Sequence, residues 1–371
     1  MQPVLRFPEF NGEWEYNLFS EVVTNKSKKF NPKSDEIRQD IELDSIEQGT
    51  GRLLNTYVSK DFTSQKNIFD KGSVLYSKLR PYLNKYYYTQ FSGVCSSEIW
   101  VLNSLNNQKL SNLFLYFFIQ TNRFSNVANK SAGSKMPRAD WGLVENVRLY
   151  KGSIEEQEKI GNFFQKIDKQ IELEENKLKL LEQQKRGYMQ RIFSQELRFK
   201  DKNENEYPKW ETQKLGQIVM INTGKSKISN EIDGEFFNLG STGIIGKSSH
   251  YDYEGSFLLT ARVGHYAGSL YTFKGKANIS DNTIFIQTNL HLEFIKELLN
   301  NYNLKRLAFG SGQPLIKSSE LKKLKFNIPC VEEIEKIGKL FNKLNRTIEL
   351  HSSKLELLRQ RKKGLLQKMF V

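Results

Sequence analysis

Residues 155–193 read EEQEKIGNFFQKIDKQIELEENKLKLLEQQKRGYMQRIF, and residues 332–370 read EEIEKIGKLFNKLNRTIELHSSKLELLRQRKKGLLQKMF, the same segment again at a constant offset of 177 residues. About half of the aligned positions are identical, more than helical composition alone supplies. Both copies carry apolar residues at heptad spacing. In the first, Phe164, Ile171 and Leu178 fall on one seam position and Ile160, Ile167, Glu174 and Leu181 on the other. In the second the same positions hold Phe341, Ile348 and Leu355, with Ile337, Leu344, His351 and Leu358. Such a stripe predicts a coiled-coil helix with one side buried. The simplest partner for each helix is the other, paired antiparallel about a local twofold axis. At ~1.5 Å per residue, ~39 residues make a rod ~58 Å long, a ruler on the scale of DNA. Glu174 and His351 sit at equivalent seam positions near the helix midpoints, where they either meet and fix the register or both reach solvent. Lys185 and Lys362 fall on the seam as well, and are read as laying their stems across it rather than binding anything.

A duplicated helix implies a duplicated unit. Leu5-Arg6-Phe7 recurs as Leu197-Arg198-Phe199, and Trp14-Glu15 with Phe19 and Val23 recurs as Trp210-Glu211 with Leu215 and Val219. Gly133-Ser134 and Pro137 recur as Gly310-Ser311 and Pro314. Between these marks the two regions do not align. The chain therefore divides into a globular region over 1–152, a helix over 153–195, a second globular region over 196–328 and a second helix over 329–371. Short β-type runs at Ser73 to Tyr76, Ser256 to Thr260 and Thr283 to Gln287, with helical runs at Leu110 to Thr121 and Leu292 to Asn301, make each globular region α+β.

The net charge of +14 calls for a polyanionic partner. Residues 155–193 contain as many acidic as basic residues, whereas both globular regions and the second helix are basic. Aromatics are interleaved with the lysines, as in KLRPYLNKYYY at 78–88, the pattern expected of a nucleic-acid surface. No stretch approaches the ~18 to 20 apolar residues of a membrane span, so a cytoplasmic protein without a membrane partner is expected. Cys95 and Cys330, with four scattered histidines, give neither a disulfide framework nor a zinc site.

Motifs for chemistry fail on spacing. Gly240 to Ser248 resembles a phosphate-binding loop, but Gly240 lies one residue too far from Gly246-Lys247-Ser248 and no amphipathic helix follows. Gly310-Ser311-Gly312 is too short for a dinucleotide fingerprint, and Pro314 breaks the helix that should begin there. No Asn/Asp-Pro-Pro-aromatic run exists for methyl transfer, since Asn31-Pro32-Lys33 is the nearest. Glu175-Asn176-Lys177 and Glu320-Leu321-Lys322 mimic the end of a nuclease metal site without a well-placed upstream aspartate. Gly-x-Ser-x-Gly and His-Glu-x-x-His are missing. The chain reads as a binder with no catalytic site, cofactor site or metal site of its own.

Three pairs of segments carry a family resemblance: LRFPEFNGEW at 5–14 with LRFKDKNENEYPKW at 197–210, GSKMPRADW at 133–141 with GSGQPLIKS at 310–318, and the helix starts EEQEKIGNFF and EEIEKIGKLF. Together they resemble the specificity subunit of type I restriction–modification enzymes over essentially the whole chain. The resemblance implies two target recognition domains, each reading one half of a split double-stranded DNA sequence. It also implies a helix pair that sets the spacing and docks two modification subunits, which carry S-adenosylmethionine and methylate adenine. Restriction and motor subunits complete the restricting form of such assemblies. Candidate DNA contacts are Lys78, Arg80, Tyr82, Lys85, Lys135 and Arg138 in the first domain, and Lys225, Lys227, Arg262, His265, Lys274, Lys276 and Lys317 in the second. Two other classes remain open: a methyltransferase or nuclease with a degenerate motif, and a structural coiled-coil adaptor with no DNA role.

Overall fold

The computed structural model describes residues 2–33, 36–130, 135–228, 231–307 and 315–371. It is mixed α/β and divides into two compact units, residues 1–175 with 354–371, and residues 176–353. Each long helix is therefore shared, one part belonging to each unit. Among the described residues no helix is long and apolar enough to cross a membrane.

The first long helix runs Ile154–Phe193. It begins at Ser153, whose Oγ accepts from the Glu156 amide at 3.3 Å, and Glu155 and Glu156 lie in its first turn, at the positive end of the dipole. Hydrogen bonding to backbone N–H and to Ser153 holds the Glu155 carboxyl below its usual range. The second long helix spans Val331–Met369 and carries Glu332 and Glu333 in the same place.

In the first unit the start of one long helix packs antiparallel on the end of the other. The Phe164 and Phe370 rings lie 5.9 Å apart, Asp168 meets Lys362 at 2.6 Å, Glu174 meets Lys354 at 2.9 Å, and Glu175 meets Arg359 at 2.6 Å. The second unit has the reciprocal arrangement, with Phe193 stacked on Phe341 at 6.2 Å. The seam residues Ile160, Phe164, Ile167, Ile171, Ile337, Phe341 and Leu355 are buried. Leu178, Leu181, Leu344, Ile348, His351 and Leu358 are half-buried.

Each globular domain is closed by a two-stranded ribbon just before its long helix. Glu15–Leu18 pairs with Arg148–Lys151, and Glu211–Lys214 pairs with Lys325–Ile328. The turn that follows is also duplicated: the Phe19 amide donates to Val147 and the Leu215 amide to Leu324, both at 2.8 Å. Inside these frames the sheets differ. The first domain has a four-stranded antiparallel sheet in the order Val23–Thr24, Ile99–Ser104, Val74–Ser77, Tyr86–Tyr88. A second, five-stranded sheet runs Lys29–Phe30, Lys66–Phe69, Gly93–Ser96, Gln39–Ile41, Tyr57–Val58. The second domain has one six-stranded sheet in the order Met220–Thr223, Thr283–Gln287, Tyr253–Ala261, Leu270–Ile279, Phe236–Gly240, Gly243–Ser248. Its last two strands form the hairpin that mimicked a phosphate loop in sequence. The helix expected over Leu110 to Thr121 forms at Asn112–Phe118, and that over Leu292 to Asn301 at Leu292–Tyr302.

Two buried clamps fasten domain to helix. Arg6 donates to both Glu156 oxygens at 2.6 and 2.7 Å, and the Trp14 indole donates to the same carboxylate at 3.0 Å. Arg198 donates to Glu333 at 3.2 and 2.6 Å, and Trp210 completes it at 3.0 Å. Both glutamates are fully buried, so three charge-assisted hydrogen bonds offset the loss of water around each carboxylate. The segment before each clamp is anchored identically, the Leu5 amide donating to Lys368 at 2.8 Å and the Leu197 amide to Arg191 at 2.9 Å.

One expectation is corrected. Lys185 and Lys362 do not merely lay their stems over the seam. Lys362 binds Asp168 at 2.6 Å and the Gln120 side-chain oxygen Oε1 at 2.9 Å, and Lys185 binds the buried Glu297 at 2.7 Å. Each of these two seam positions faces a globular domain, so a half-buried ammonium finds a partner there.

Candidate nucleic-acid interface

The strand Val74–Ser77 runs into Lys78, and two segments then converge. Leu79 forms an isolated antiparallel bridge with Arg138. The Ala139 amide donates to the Lys78 carbonyl at 2.7 Å, and the Arg80 amide donates to Pro137 at 2.8 Å. These bonds bring Lys78, Arg80, Tyr82, Lys135 and Arg138 to one edge of the first domain. Between them Pro81–Leu83 makes one 3-10 turn, flanked by Arg80 and Asn84, whose φ angles of 51° and 48° are left-handed. Tyr82 stands out from this turn, 52% exposed.

Two members of the group are already engaged. The Lys85 ammonium donates to the Leu43 carbonyl at 2.6 Å, so it braces the loop at 43 instead of presenting a free cation. Arg138 pairs with Glu98 at 3.0 Å on an exposed surface, where the surrounding water keeps the pair weak and exchangeable.

The second domain repeats this construction with different residues. Val263 bridges Leu315, and the Ile316 amide donates to the Arg262 carbonyl at 2.8 Å. Gly264 and Gly268 are left-handed, with φ of 83° and 85°, and Tyr266 stands between them, 56% exposed. Gly264 thus replaces Arg80, Tyr266 replaces Tyr82 and Gly268 replaces Asn84. The loop places Arg262 and His265 beside the segment that leads to the exposed Lys317.

The other lysines of this domain lie elsewhere. The Lys225 amide donates to the Tyr253 hydroxyl at 3.2 Å, and the exposed Lys227 follows on the same segment. Lys274 and Lys276 pair across the sheet with Ser256 and Glu254. The Lys276 ammonium lies 4.6 Å from the centre of the Tyr251 ring, and a hydrogen bond with the Tyr251 hydroxyl raises its pKa. These four lysines sit toward the start of the strand Tyr253–Ala261, while Arg262 and His265 follow its end. The second-domain candidates therefore form two groups.

Comparison with known proteins bears on this duplicated, basic architecture. The family described as "Type I restriction modification DNA specificity domain" matches the chain twice, over residues 11–183 and 207–360. The chain belongs to the type I restriction–modification DNA specificity family. Among the curated relatives of this specificity-family chain is the type I restriction enzyme EcoDI specificity subunit of Escherichia coli. It is 28% identical over 156 residues, which are 41% of the present chain and 34% of the relative's length. The MjaVIII specificity subunit of Methanocaldococcus jannaschii is 23% identical over 310 residues, 74% of the present chain and 72% of that one. The fold is similar to the crystal structure of a type I restriction–modification S subunit from M. genitalium, with a TM-score of 0.67 at 15% identity, covering 100% of this chain and 99% of that one. It is also similar to a chain from a study of assembly and conformational transition of the type I restriction–modification system, with a TM-score of 0.56, 16% identity and coverages of 97% and 98%.

Sequence reasoning on this specificity-family chain selected His265 and passed over Tyr266. The available signal was Gly264-x-Tyr266-x-Gly268, two glycines spaced for left-handed turns around an aromatic residue. It did not align with Arg80-x-Tyr82-x-Asn84 because the first domain places positive-φ residues at the same two positions without glycine. Residues 131–134 and 308–314, which contain the repeated Gly-Ser pairs and Pro314, lie outside the described residues.

Proposed function

We propose that this chain is the non-catalytic specificity subunit of a type I restriction–modification complex. Each globular domain reads one half of a bipartite DNA target. The two long helices pair as an antiparallel coiled coil with approximate twofold symmetry, set the unread spacer, and dock two adenine-methyltransferase subunits. Chemistry is supplied by those partners, which bring S-adenosylmethionine, and by restriction and motor subunits where present. The observation that carries this reading is the duplicated frame of clamp, closing ribbon and exposed basic loop around unlike sheets, which suits one scaffold holding two different readers. Lys and Arg on those loops would neutralise phosphates with release of counterions, and neighbouring polar side chains would read base edges.

Docking on the helices is supported by a line of exposed leucines on the outer side of both helices. Leu173 and Leu357 in the first unit are 57% and 65% exposed, and Leu180 and Leu350 in the second are 64% and 62% exposed. In heptad terms all four occupy one position, on the flank opposite Glu175 and Arg359. The line continues to Gly187 and Gly364, where an added Cβ would meet nothing within 4 Å. With Phe164 and Phe341 at position a, positions c, f and g hold no Asp or Glu from Lys159 to Arg191 or from Lys336 to Lys368, the acidic residues Glu172, Glu349 and Glu356 falling on position b. A leucine-bearing, acid-free face suits an amphipathic, acidic surface on each methyltransferase subunit.

The test is co-expression with the methyltransferase subunit and genome-wide mapping of methylated adenines. A bipartite motif is expected. Inserting about four residues, one helical turn, between Ile171 and Leu178 should change the spacer length and leave both half-sites intact. Altered half-sites with unchanged spacing would refute this division of labour. Methyl transfer or cleavage by the purified chain alone would favour the enzyme reading instead.

A further inference from the structure

Tyr82 and Tyr266 stand at the same place in two domains whose sheets differ in number and strand order. Each is an aromatic residue more than half exposed, so neither is held by a core. Each projects from between two left-handed residues, Arg80 and Asn84 in one case and Gly264 and Gly268 in the other. For residues bearing a Cβ this backbone is strained, and such strain concentrates where a side chain must be aimed. The tie behind the turn is also shared: Lys78 and Arg262 both accept, through their carbonyls, an amide from the segment leading to the closing ribbon. A cationic side chain therefore precedes the tyrosine by four residues in both domains.

Two domains that read different bases have in common what both need, a hold on the duplex that does not depend on sequence. We propose that Tyr82 and Tyr266 are the same sequence-independent DNA contact used once per half-site, each phenol donating to a phosphate oxygen beside Lys78 or Arg262. This rests on the specificity-subunit reading above. Neutral donors such as tyrosine commonly position a protein on the backbone.

The experiment uses the full chain assembled with its methyltransferase subunits and duplexes carrying the mapped target. Tyr82→Phe and Tyr266→Phe, which keep the ring and do not touch a core, should each weaken binding about tenfold, the worth of a hydrogen bond to a charged group. Together they should weaken it about a hundredfold, because separate sites add. The methylated sequence should stay the same. Lys78→Gln or Arg262→Gln should lower the slope of log affinity against log salt by about one, and the Phe variants should leave that slope alone. Wild-type affinity in both Phe variants would overturn the proposal, as would a changed half-site in either. Loss on Tyr82→Ala without loss on Tyr82→Phe would mean ring stacking and would overturn the phosphate contact. A wild-type complex without sequence-specific binding would sink the specificity reading itself and this inference with it, an outcome visible before any variant is made.

Discussion

The two units solve one electrostatic problem with the charges exchanged. In the first, seam Lys362 meets a carboxylate on the long helix, Asp168, and an amide on the globular domain, Gln120. In the second, seam Lys185 meets a carboxylate on the globular domain, Glu297, which also accepts from the helix amide Asn345 at 2.8 Å. Each site joins a seam lysine, a carboxylate and an amide, and in the second Asn345 also donates to Glu293 at 2.5 Å. The long helix and the globular domain exchange the anion and the amide between the two units. The duplicated part of the architecture is thus a balance of buried charge rather than a list of residues, because an unpaired charge costs far more than either arrangement.

The clamps are the place to break this equivalence hardest. Glu156→Ala should leave Arg6 and the Trp14 indole without their acceptor and destabilise the first unit by about 3–5 kcal/mol, with Glu333→Ala doing the same to the second. Hydrogen exchange resolved along the chain during urea unfolding should locate each loss in its own unit. Equal loss in both units from either variant would show that the clamps do not act separately.

The exchanged charge offers a finer test. Asp168→Asn should cost the first unit about 1–3 kcal/mol, and adding Gln120→Glu should recover most of it by recreating the pattern of the second unit. Chemical denaturation of the two single variants and the pair would measure that coupling, and strict additivity would refute the exchange. The pH profile sharpens it further. Burial raises the Asp168 pKa, and Lys362 opposes this only in part. Its contribution therefore favours the fold at acidic pH and fades as pH rises through the raised value. That slope should disappear in Asp168→Asn.

The smallest effect belongs to the turns around the exposed tyrosines. Gly264→Ala should cost about 1–2 kcal/mol, since a Cβ disfavours the left-handed backbone. Arg80→Gly should change stability by less than about 1 kcal/mol, as relief of strain offsets the greater freedom of glycine in the unfolded chain. Thermal unfolding of both variants would show whether the positive-φ positions cost the two turns alike.

The long helices were legible because a heptad stripe is local: spacing alone says which side of Phe164, Ile171 and Leu178 must leave water. The frames were legible through Arg6, Trp14 and their repeats, although nothing in sequence said that these residues meet on Glu156 and Glu333. The exposed basic loops were visible only in pieces. Composition marks Lys78, Arg80 and Tyr82 but not Tyr266, and it marks Lys85 as well, whose ammonium is occupied by the Leu43 carbonyl.

By itself the sequence determined that the chain is duplicated, that two helices carry an apolar seam, and that its net charge is strongly positive, since repetition, periodicity and net charge need no knowledge of contacts. Only the tertiary structure decided that seam lysines reach for carboxylates, that two unlike sheets share one clamp, and that Gly264 and Arg80 hold the same turn. Those depend on residues far apart in the chain meeting at hydrogen-bond distance, and on a backbone angle that glycine adopts freely and arginine adopts only when its surroundings hold it there.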